Sequence, residues 1–392
     1  MKESIPVNET FNPEEKNVPA RKARRHRYST AVRGIVIAAV SLMAAIALVL
    51  IGGGAWAWNL LGKIQYVDPA EDPEYSYSPG DFEDEIDPSA PPDTSVPTPE
   101  ETAKVLQELA DISLKGDTND ITNILLIGID GDTYKSYRSD STIIFSINNK
   151  AKTVKLVSLM RDTQVLIPGF DVDGDGRDDY AKLNTAIRSG VDRLFRTIET
   201  NFRLKIDKFV AVNFTAFPIV VDKLGGVDIE LTANEAGQVP APGTKITAET
   251  YDPNFQPLSD KGGSFHLDGF QTLQYARIRH EKRHVGGSDF SRVQRQQKVV
   301  NLLLDKVKKT NFLSLASMLS DVFPQVSTNM SQNQLLMDYA WNVGTYATYE
   351  VKTSYRIPQN GMYTNTYLRG SQVLGLTDQR ACVEQLHEYL YS

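Results

Sequence analysis

The sequence contains one cysteine, Cys382, and only five histidines among 392 residues. A single cysteine excludes a disulfide within the chain, and the redox compartment cannot be inferred from cysteine usage. No glycine-rich phosphate loop, G-x-S-x-G elbow or cysteine–histidine nucleophile pair is found. The net charge of −7, with no long basic stretch beyond the N-terminus, argues against nucleic acid as the main partner. Chemistry without a covalent enzyme nucleophile is the simpler expectation.

Charged residues are also absent from residues 34–58, which are dominated by Ile, Val, Ala and Leu. As a helix this run would be about 37 Å long, enough to span a bilayer. The basic cluster at residues 21–27 should remain cytoplasmic, which would place the rest of the chain outside the cell. A cleaved signal peptide is the alternative, but the run exceeds a typical signal core and ends near Trp56 and Trp58. The sequence therefore predicts one uncleaved transmembrane anchor.

Basic residues are absent between Lys63 and Lys104, where Asp, Glu and Pro are abundant. Such a segment cannot bury enough apolar surface to fold alone, and its like charges keep it extended. We interpret it as a stalk that holds a domain off the membrane. The predicted organisation is a cytoplasmic tail (1–33), an anchor (34–60), an acidic, Pro-rich stalk with a short helix at 102–114 (61–117), and an extracellular catalytic domain (118–392).

Strand-like and helix-like patterns alternate through the predicted domain. Strands are predicted at residues 123–130, 141–148, 153–160, 209–214 and 227–231, and helices at 185–202, 218–224 and 290–308. This interleaving favours an α/β or mixed α+β domain with a central mixed sheet flanked by helices. No internal repeat is found.

Acidic and basic residues lie next to the ends of the predicted strands. Asp130 closes the first strand, Arg138 and Asp140 immediately precede the second, and Arg161 follows the third. Ligands usually bind at strand ends of an α/β sheet, and two carboxylates near phosphates would suit Mg²⁺. The simpler interpretation of any single aspartate is that it caps a turn.

A second group of polar residues lies between residues 273 and 297. Arg277 and Arg279 are two apart in a run that alternates like a strand, so we expect both guanidiniums on one face. Asp289, Arg292 and Gln296 share a face of the predicted helix that follows. The planar donor fork of arginine fits phosphate oxygens, and the pattern suggests a pyrophosphate site. From these residues alone, surface ion pairing is the simpler interpretation.

Two metal-binding motifs are incomplete. Residues 171–176 match the first half of an EF-hand loop, but the twelfth position is Lys182 instead of a bidentate acid. We therefore expect the acidic insert 171–179 to be a polar loop beside the site, and leave calcium binding open. Residues 280–284 read His-Glu-Lys-Arg-His, the pattern of a zinc protease, yet they run into Gly286 and Gly287 instead of continuing a helix.

An ordered set of sequence blocks resembles the LytR–CpsA–Psr family of membrane-anchored cell-envelope proteins of Gram-positive-type bacteria. The blocks lie at residues 123–130, 138–141, 158–163, 182–186, 209–231, 266–269, 275–279 and 289–296. The resemblance implies transfer of a glycopolymer, such as a teichoic acid or capsule-like polysaccharide, from a polyprenyl-pyrophosphate carrier to peptidoglycan.

The same resemblance implies roles for individual residues. It assigns Mg²⁺ binding to Asp130 and Asp140, pyrophosphate binding to Arg138, Arg161, Arg277, Arg279 and Gln296, and a supporting or acceptor-binding role to Arg292 and Arg295. Asp289 is a candidate general base, although orienting an arginine or capping the helix would also explain it. The alternatives are a pyrophosphatase acting on the lipid-linked glycan and a non-catalytic binder of such glycans. The polymer, the acceptor sugar and the oligomeric state remain open.

Overall fold

The structure is a computed structural model that describes residues 54–71, 96–129, 139–213, 216–244, 254–278, 295, 298–299, 302–303, 306, 309–310, 312–340, 342–346, 348–352 and 355–392. Among these residues no helix is long and apolar enough to cross a bilayer. The predicted anchor falls outside them except for the part that begins at Gly54.

Strands from both halves of the chain build one mixed sheet. The strands are β1 (Gln65–Tyr66), β2 (Ile121–Ile129), β3 (Ser139–Asn148), β4 (Thr153–Leu159), β5 (Gln164–Ile167), β6 (Asp179–Lys182), β7 (Phe209–Asn213), β8 (Val227–Leu231), β9 (Gly263–Leu267), β10 (Val326–Thr328), β11 (Glu350–Val351), β12 (Tyr355–Ile357), β13 (Tyr363–Leu368) and β14 (Ser371–Leu376). Eight of these strands form the central sheet, in the order β1-β10-β7-β2-β3-β4-β11 with β12 also paired to β4, while β5–β6, β8–β9 and β13–β14 form separate two-stranded sheets. β2 is parallel to β7 and antiparallel to β3, which confirms the predicted mixed sheet.

Helices cover the sheet and its connections. They are α1 (Gly54–Leu61), α2 (Pro99–Ala110), α3 (Val191–Phe202), α4 (Ala216–Lys223), α5 (Ala233–Ala236), α6 (Gly269–Arg277), α7 (Phe312–Val322), α8 (Gln332–Gln334), α9 (Val343–Tyr346) and α10 (Gln379–Tyr391). Short 3-10 helices span Pro69–Glu71, Leu183–Ser189 and Phe323–Gln325, and a π-helix spans Leu335–Ala340.

Apolar side chains project from both faces of the sheet because side chains alternate along each strand. In β2, Leu125 and Ile127 pack into the cluster that contains Leu194 of α3. Ile124 of the same strand joins Phe145 of β3 in a cluster on the other face. This two-sided burial explains why the β2 sequence reads as a continuous apolar run.

Most predicted elements are confirmed. The strands predicted at 123–130, 141–148, 153–160 and 209–214 correspond to β2, β3, β4 and β7, and the helices predicted at 102–114 and 218–224 correspond to α2 and α4. The strand predicted at 227–231 is β8, which pairs with β9 in a separate two-stranded sheet. The helix predicted at 290–308 lies largely outside the described residues, although positions 295, 298–299, 302–303 and 306 are helical.

The strand-like interpretation of residues 273–279 is wrong, because α6 occupies this stretch up to Arg277. A capping box begins the helix: the Asp268 side chain accepts from the Gln271 amide at 2.8 Å, and the Gln271 side chain accepts from the Asp268 amide. The buried residues Thr272, Tyr275 and Ile278 are instead three apart, a spacing that places them on one side of a helix. Arg277 therefore lies on a helix and not on the strand face that it was predicted to share with Arg279.

The single helix predicted over residues 185–202 is also wrong at its start. Leu183–Ser189 form a 3-10 helix, and α3 begins only after Gly190, whose φ is 94°. The amides of Leu183 and Asn184 bind carbonyl oxygens of the β4–β5 turn, at 2.9 Å to Thr163 and 3.1 Å to Arg161. These contacts with another part of the chain hold the tighter helix in place.

The segment predicted as a stalk contributes to the folded domain at both of its ends. Tyr66 of β1 pairs with Thr328 of β10, so the central sheet begins before residue 118. Leu109 of α2 is buried, and the Glu108 carbonyl accepts a hydrogen bond from Arg380 of α10 at 3.1 Å. The acidic stretch that motivated the stalk, residues 72–95, lies outside the described residues.

Candidate functional site

Four strand ends marked in the sequence lie at the same end of the central sheet. Ile129, the last residue of β2, pairs with Ser139 at the start of β3 and with Asn213 at the end of β7. Thr142 of β3 pairs with Leu159, the last residue of β4. The chain therefore leaves β2, enters β3 and leaves β4 at one place, which we call the site end of the sheet.

Asp140 lies in an irregularity of the β2–β3 ladder. Gly128 pairs with Ser141 and Ile129 pairs with Ser139, so one step along β2 corresponds to two steps along β3. Asp140 is thus the extra residue of a β-bulge, a feature that locally bends a strand and re-aims a side chain, and that is common beside active sites. The backbone therefore sets this aspartate apart from the regular ladder at the site end.

Arg161 lies in the turn between β4 and β5, two residues beyond the last residue of β4. Its side chain is about a quarter exposed, and Nε lies 3.4 Å from an Asp162 carboxylate oxygen. The other Asp162 oxygen lies 3.7 Å from Nζ of Lys182, whose side chain is 13% exposed. Among the described residues, this turn thus brings two cations to one carboxylate, and clustered cations suit an anionic ligand.

Arg277 is the last residue of α6 and is partly buried. It does not lie on a strand at the site end, but on a helix whose N-terminal amide, that of Gly269, donates to Asp222 of α4 at 2.7 Å. α4 itself begins close to the end of β7, where the Asn213 side chain accepts from the Ala216 amide at 3.2 Å. Helix packing thus positions Arg277, whereas the end of strand β4 positions Arg161.

Arg295 is buried behind the end of α6, with a 5% exposed side chain. One guanidinium nitrogen donates to the Ile278 carbonyl, and another lies 3.6 Å from a carboxylate oxygen of Glu235. Burial raises the pKa of the neighbouring Tyr275 to about 12, with Glu235 acting in the same direction and Arg295 opposing it. These contacts connect the residue after Arg277 to the start of helix α5.

Several predicted site residues lie outside the described residues. These are Asp130, Arg138, Arg279, Asp289, Arg292 and Gln296, together with the zinc-protease-like segment 280–284; Asp140 is described as a strand residue without its side chain. The chain on either side of residues 130–138 is nevertheless fixed, since Ile129 and Ser139 are cross-strand partners.

The acidic insert forms the loop between β5 and β6. Carboxylate oxygens of Asp171, Asp173 and Asp179 lie within 4.8 Å of one another. Asp171 accepts from the amides of Gly174 at 2.7 Å and Gly176 at 2.9 Å, so it folds the loop locally. Asp179 also pairs with Arg369 at 2.8 Å, which joins this loop to the β13–β14 turn.

The sequence reasoning did not single out Lys182 or Asn213 as site residues. Lys182 stands at the end of β6 beside Asp162, and Asn213 ends β7 level with Ile129. The only signal for Lys182 was its place in a block of the family resemblance. Asn213 could have been found from the apolar run of β7, which stops at this polar residue.

The chain belongs to the LytR_cpsA_psr family, whose model matches residues 94–385. The matched range includes the site end of the sheet, α6 and the first half of the C-terminal helix α10. The expected family is therefore confirmed.

Among curated relatives, the teichoic acid transferase TagV of Bacillus subtilis (strain 168) is 29% identical over 53% of this chain and 49% of its own length. TagT of the same organism is 31% identical over 56% of this chain and 62% of its own length. Both are named polyisoprenyl-teichoic acid–peptidoglycan teichoic acid transferases. The match thus spans about half to three fifths of these relatives. Among solved structures, TagT bound to LIIa-WTA is 27% identical, with a TM-score of 0.45, and the match covers 70% of this chain and 92% of that chain.

Proposed function

We propose that this protein is a Mg²⁺-dependent phosphotransferase that attaches a polyprenyl-pyrophosphate-linked glycopolymer to peptidoglycan and releases polyprenyl phosphate. Family membership and the names of the curated relatives support this function. The structural observation that carries it is the site end of the sheet, where the bulge at Asp140 in β3 and the turn at Arg161 after β4 lie at the same end of neighbouring strands. Cationic and carboxylate groups at one set of strand ends suit a metal-assisted phosphate site.

The proposed chemistry needs no covalent enzyme intermediate. A hydroxyl of the acceptor glycan attacks the glycan-side phosphorus, the bond to the bridging oxygen breaks, and polyprenyl phosphate leaves. No ATP is required because the pyrophosphate is already activated. The main task of the protein is therefore to position the two substrates and to stabilise charge on the phosphoryl oxygens and the leaving group.

The residues divide into three proposed roles. Asp130 and Asp140 would hold Mg²⁺, which when bound supplies charge neutralisation to the pyrophosphate. Guanidinium forks bind the phosphate oxygens; those proposed are Arg138, Arg161, Arg277 and Arg279, assisted by Gln296. Asp289 is proposed to accept the proton of the attacking hydroxyl, with Arg292 and Arg295 in support.

The proposed location follows from the order of the chain. An anchor over residues 34–60 would leave the basic tail in the cytoplasm and the family domain outside, next to its lipid-linked donor and the peptidoglycan acceptor. The partners are then the lipid-linked glycopolymer, peptidoglycan and the membrane itself.

The decisive experiment uses the full chain, because β1 belongs to the central sheet. Purified protein is incubated with a synthetic polyprenyl-pyrophosphate glycan and peptidoglycan chains, with Mg²⁺ or with chelator, while polyprenyl phosphate release and glycan attachment are followed together. We expect Mg²⁺-dependent release coupled to attachment. Release without attachment would indicate a pyrophosphatase, and tight binding without either product would indicate a binding protein.

A matched pair of variants assigns the site. Arg161→Ala should reduce the transfer rate by roughly 10²–10³-fold, the cost of removing one stabilising donor group from a transition state. Arg177→Ala removes an arginine of the acidic insert whose side chain is 65% exposed, and it should leave the rate unchanged. Equal rates for wild type and a folded Arg161→Ala protein would rule out the role given to Arg161.

A further inference from the structure

Two exposed apolar side chains line one cleft, and a third lies two residues beyond another residue of the lining. Trp58 is 42% exposed, and Tyr66 and Met337 are each 62% exposed. Trp58 and Tyr66 line a cleft of about 500 Å³ together with Leu335, and Met337 lies on the same π-helix as Leu335. We call Trp58, Tyr66 and Met337 the juxtamembrane face. Single exposed apolar residues are common, but a group around an open cleft indicates a contact surface.

The juxtamembrane face lies where the uncharged N-terminal run enters the folded domain. Residues 34–53 carry no charge and lead directly into α1, which begins at Gly54. Within the same helix, Leu60 and Leu61 are only 4% and 3% exposed and pack against α7. Only one residue, Asn59, therefore separates Trp58 from Leu60 in the core of the domain.

The chain after α1 is held to the domain by direct contacts. Tyr66 pairs with Thr328 in the sheet, and the Val67 amide donates to the Thr328 carbonyl at 2.9 Å. The Gln65 side chain donates to the Pro324 carbonyl at 2.8 Å. Because these contacts begin four residues after α1 ends, α1 is attached to the domain without an intervening spacer.

We infer that the juxtamembrane face lies in the interfacial layer of the bilayer, against lipid headgroups and the first part of the acyl chains. The inference rests on the membrane anchorage proposed above. The occupant is lipid because the apolar run that precedes α1 ends at this face, so a bilayer that holds the run must adjoin it. Trp and Tyr favour this layer because their rings are apolar and their N–H and O–H groups are polar. Asp338, exposed beside Met337, fits the headgroup level and not the hydrocarbon core.

The juxtamembrane face and the site end lie at different levels of the sheet. Tyr66 and Thr328 are level with Val210 of β7, whereas Asn213 of the same strand is level with Ile129 at the site end. Three residues of β7 correspond to about 10 Å along the strand.

Fluorescence quenching in the full chain tests the inference. Met337→Cys and Tyr66→Cys proteins are each labelled with an environment-sensitive maleimide dye and inserted into nanodiscs of phosphatidylcholine and phosphatidylglycerol that contain doxyl-labelled lipid. The native Cys382 is fully buried, and burial raises the pKa of its thiol to about 11, so the introduced cysteine is the one that reacts. Unsubstituted protein, treated in the same way, measures any remaining label.

The matched control is Glu384→Cys on α10, a half-exposed position on a helix that packs against the opposite face of the sheet. We expect doxyl lipid to quench the labels at positions 337 and 66 and to leave the label at 384 bright. Equal emission at 337 and 384, or a blue-shifted label at 337 that lipid does not quench, would overturn the inference; the second result would indicate a protein partner. Failure of the chain to remain in the nanodisc would instead refute the anchorage on which the inference rests.

Discussion

Gly128 and Ser141 are cross-strand partners one step before the bulge at Asp140, and a Cβ at Gly128 would collide with the Ser141 hydroxyl. Gly128→Ala should therefore force that hydroxyl to rotate or displace the bulge. We expect a loss of about 1–3 kcal/mol of stability, the usual cost of overpacking, and weaker Mg²⁺ activation of transfer. Thermal unfolding and Mg²⁺ titrations of activity measure the two effects.

The double variant Gly128→Ala/Ser141→Ala tests this cause. Removing the hydroxyl leaves Ser141 Cβ, 3.6 Å from the added methyl, as the nearest contact, so both properties should recover. Gly116→Ala is the control, because its new methyl would meet only ordinary contacts at 3.6 Å from Lys205. A double variant as impaired as Gly128→Ala would show that the hydroxyl collision is not the cause.

The central sheet was predictable because its strands are buried on both faces, and continuous apolar runs such as β2 and β4 identify such strands. Residues 273–279 were not, because the apolar positions of so short a stretch fit either a strand or a helix periodicity. The capping box formed by Asp268 and Gln271 is the local signal that indicates a helix instead of a strand. Asp268 precedes the alternating run, so a search for caps would have found it.

The site was predictable only where it depends on strand ends. Asp140 and Arg161 flank apolar runs, so the alternation of strands and turns places them at one end of the sheet. The ion pair between Asp162 and Lys182 joins residues 20 positions apart, so no local sequence pattern predicts it. The burial of Arg295 likewise depends on Glu235, which lies on a distant helix.

Leu61 distinguishes a helix α1 that packs against the domain from a free stalk. Its side chain is 3% exposed and packs in a cluster with Leu319 and Val326. Leu61→Ala should lower the free energy of unfolding by about 2–5 kcal/mol, the usual cost of deleting a buried leucine side chain. Leu106→Ala, at a position that is 38% exposed on α2, should cost much less. Chemical denaturation of the full chain in micelles compares them, and equal small losses would mean that α1 does not pack against the domain.

Arg295 should stabilise the end of α6 in two ways, by its ion pair with Glu235 and by its hydrogen bond to the Ile278 carbonyl. Arg295→Met leaves the mostly buried Glu235 carboxylate without its cation, so we expect a loss of about 3–5 kcal/mol. Arg295→Met/Glu235→Gln should recover part of that loss, because no uncompensated charge remains. A double-mutant cycle from urea unfolding gives the coupling energy. Additive losses, with no coupling, would show that the two side chains do not interact.

His387 should make stability depend on pH in the mildly acidic range. Its ring is 7% exposed, and Nε2 donates to the Phe202 carbonyl at 3.0 Å. Burial lowers its pKa below 6.5, and the charges of Lys115 and Arg203 act in the same direction, although hydrogen bonds to the backbone of Phe202 and Arg203 oppose the shift. The unfolded chain therefore binds the proton first as pH falls below 6.5, and stability decreases until the folded state is protonated too.

The measurement for His387 is the free energy of unfolding at about pH 7.5 and about pH 5.5, on either side of the ordinary histidine pKa. The decrease between the two should be smaller in His387→Gln, because glutamine can donate to the same carbonyl but does not titrate. His266→Gln is the control, since that ring is 60% exposed on β9. If His387→Gln loses as much stability between the two pH values as the wild type, other groups cause the acid sensitivity. The predicted difference between the two proteins arises only if residue 387 titrates.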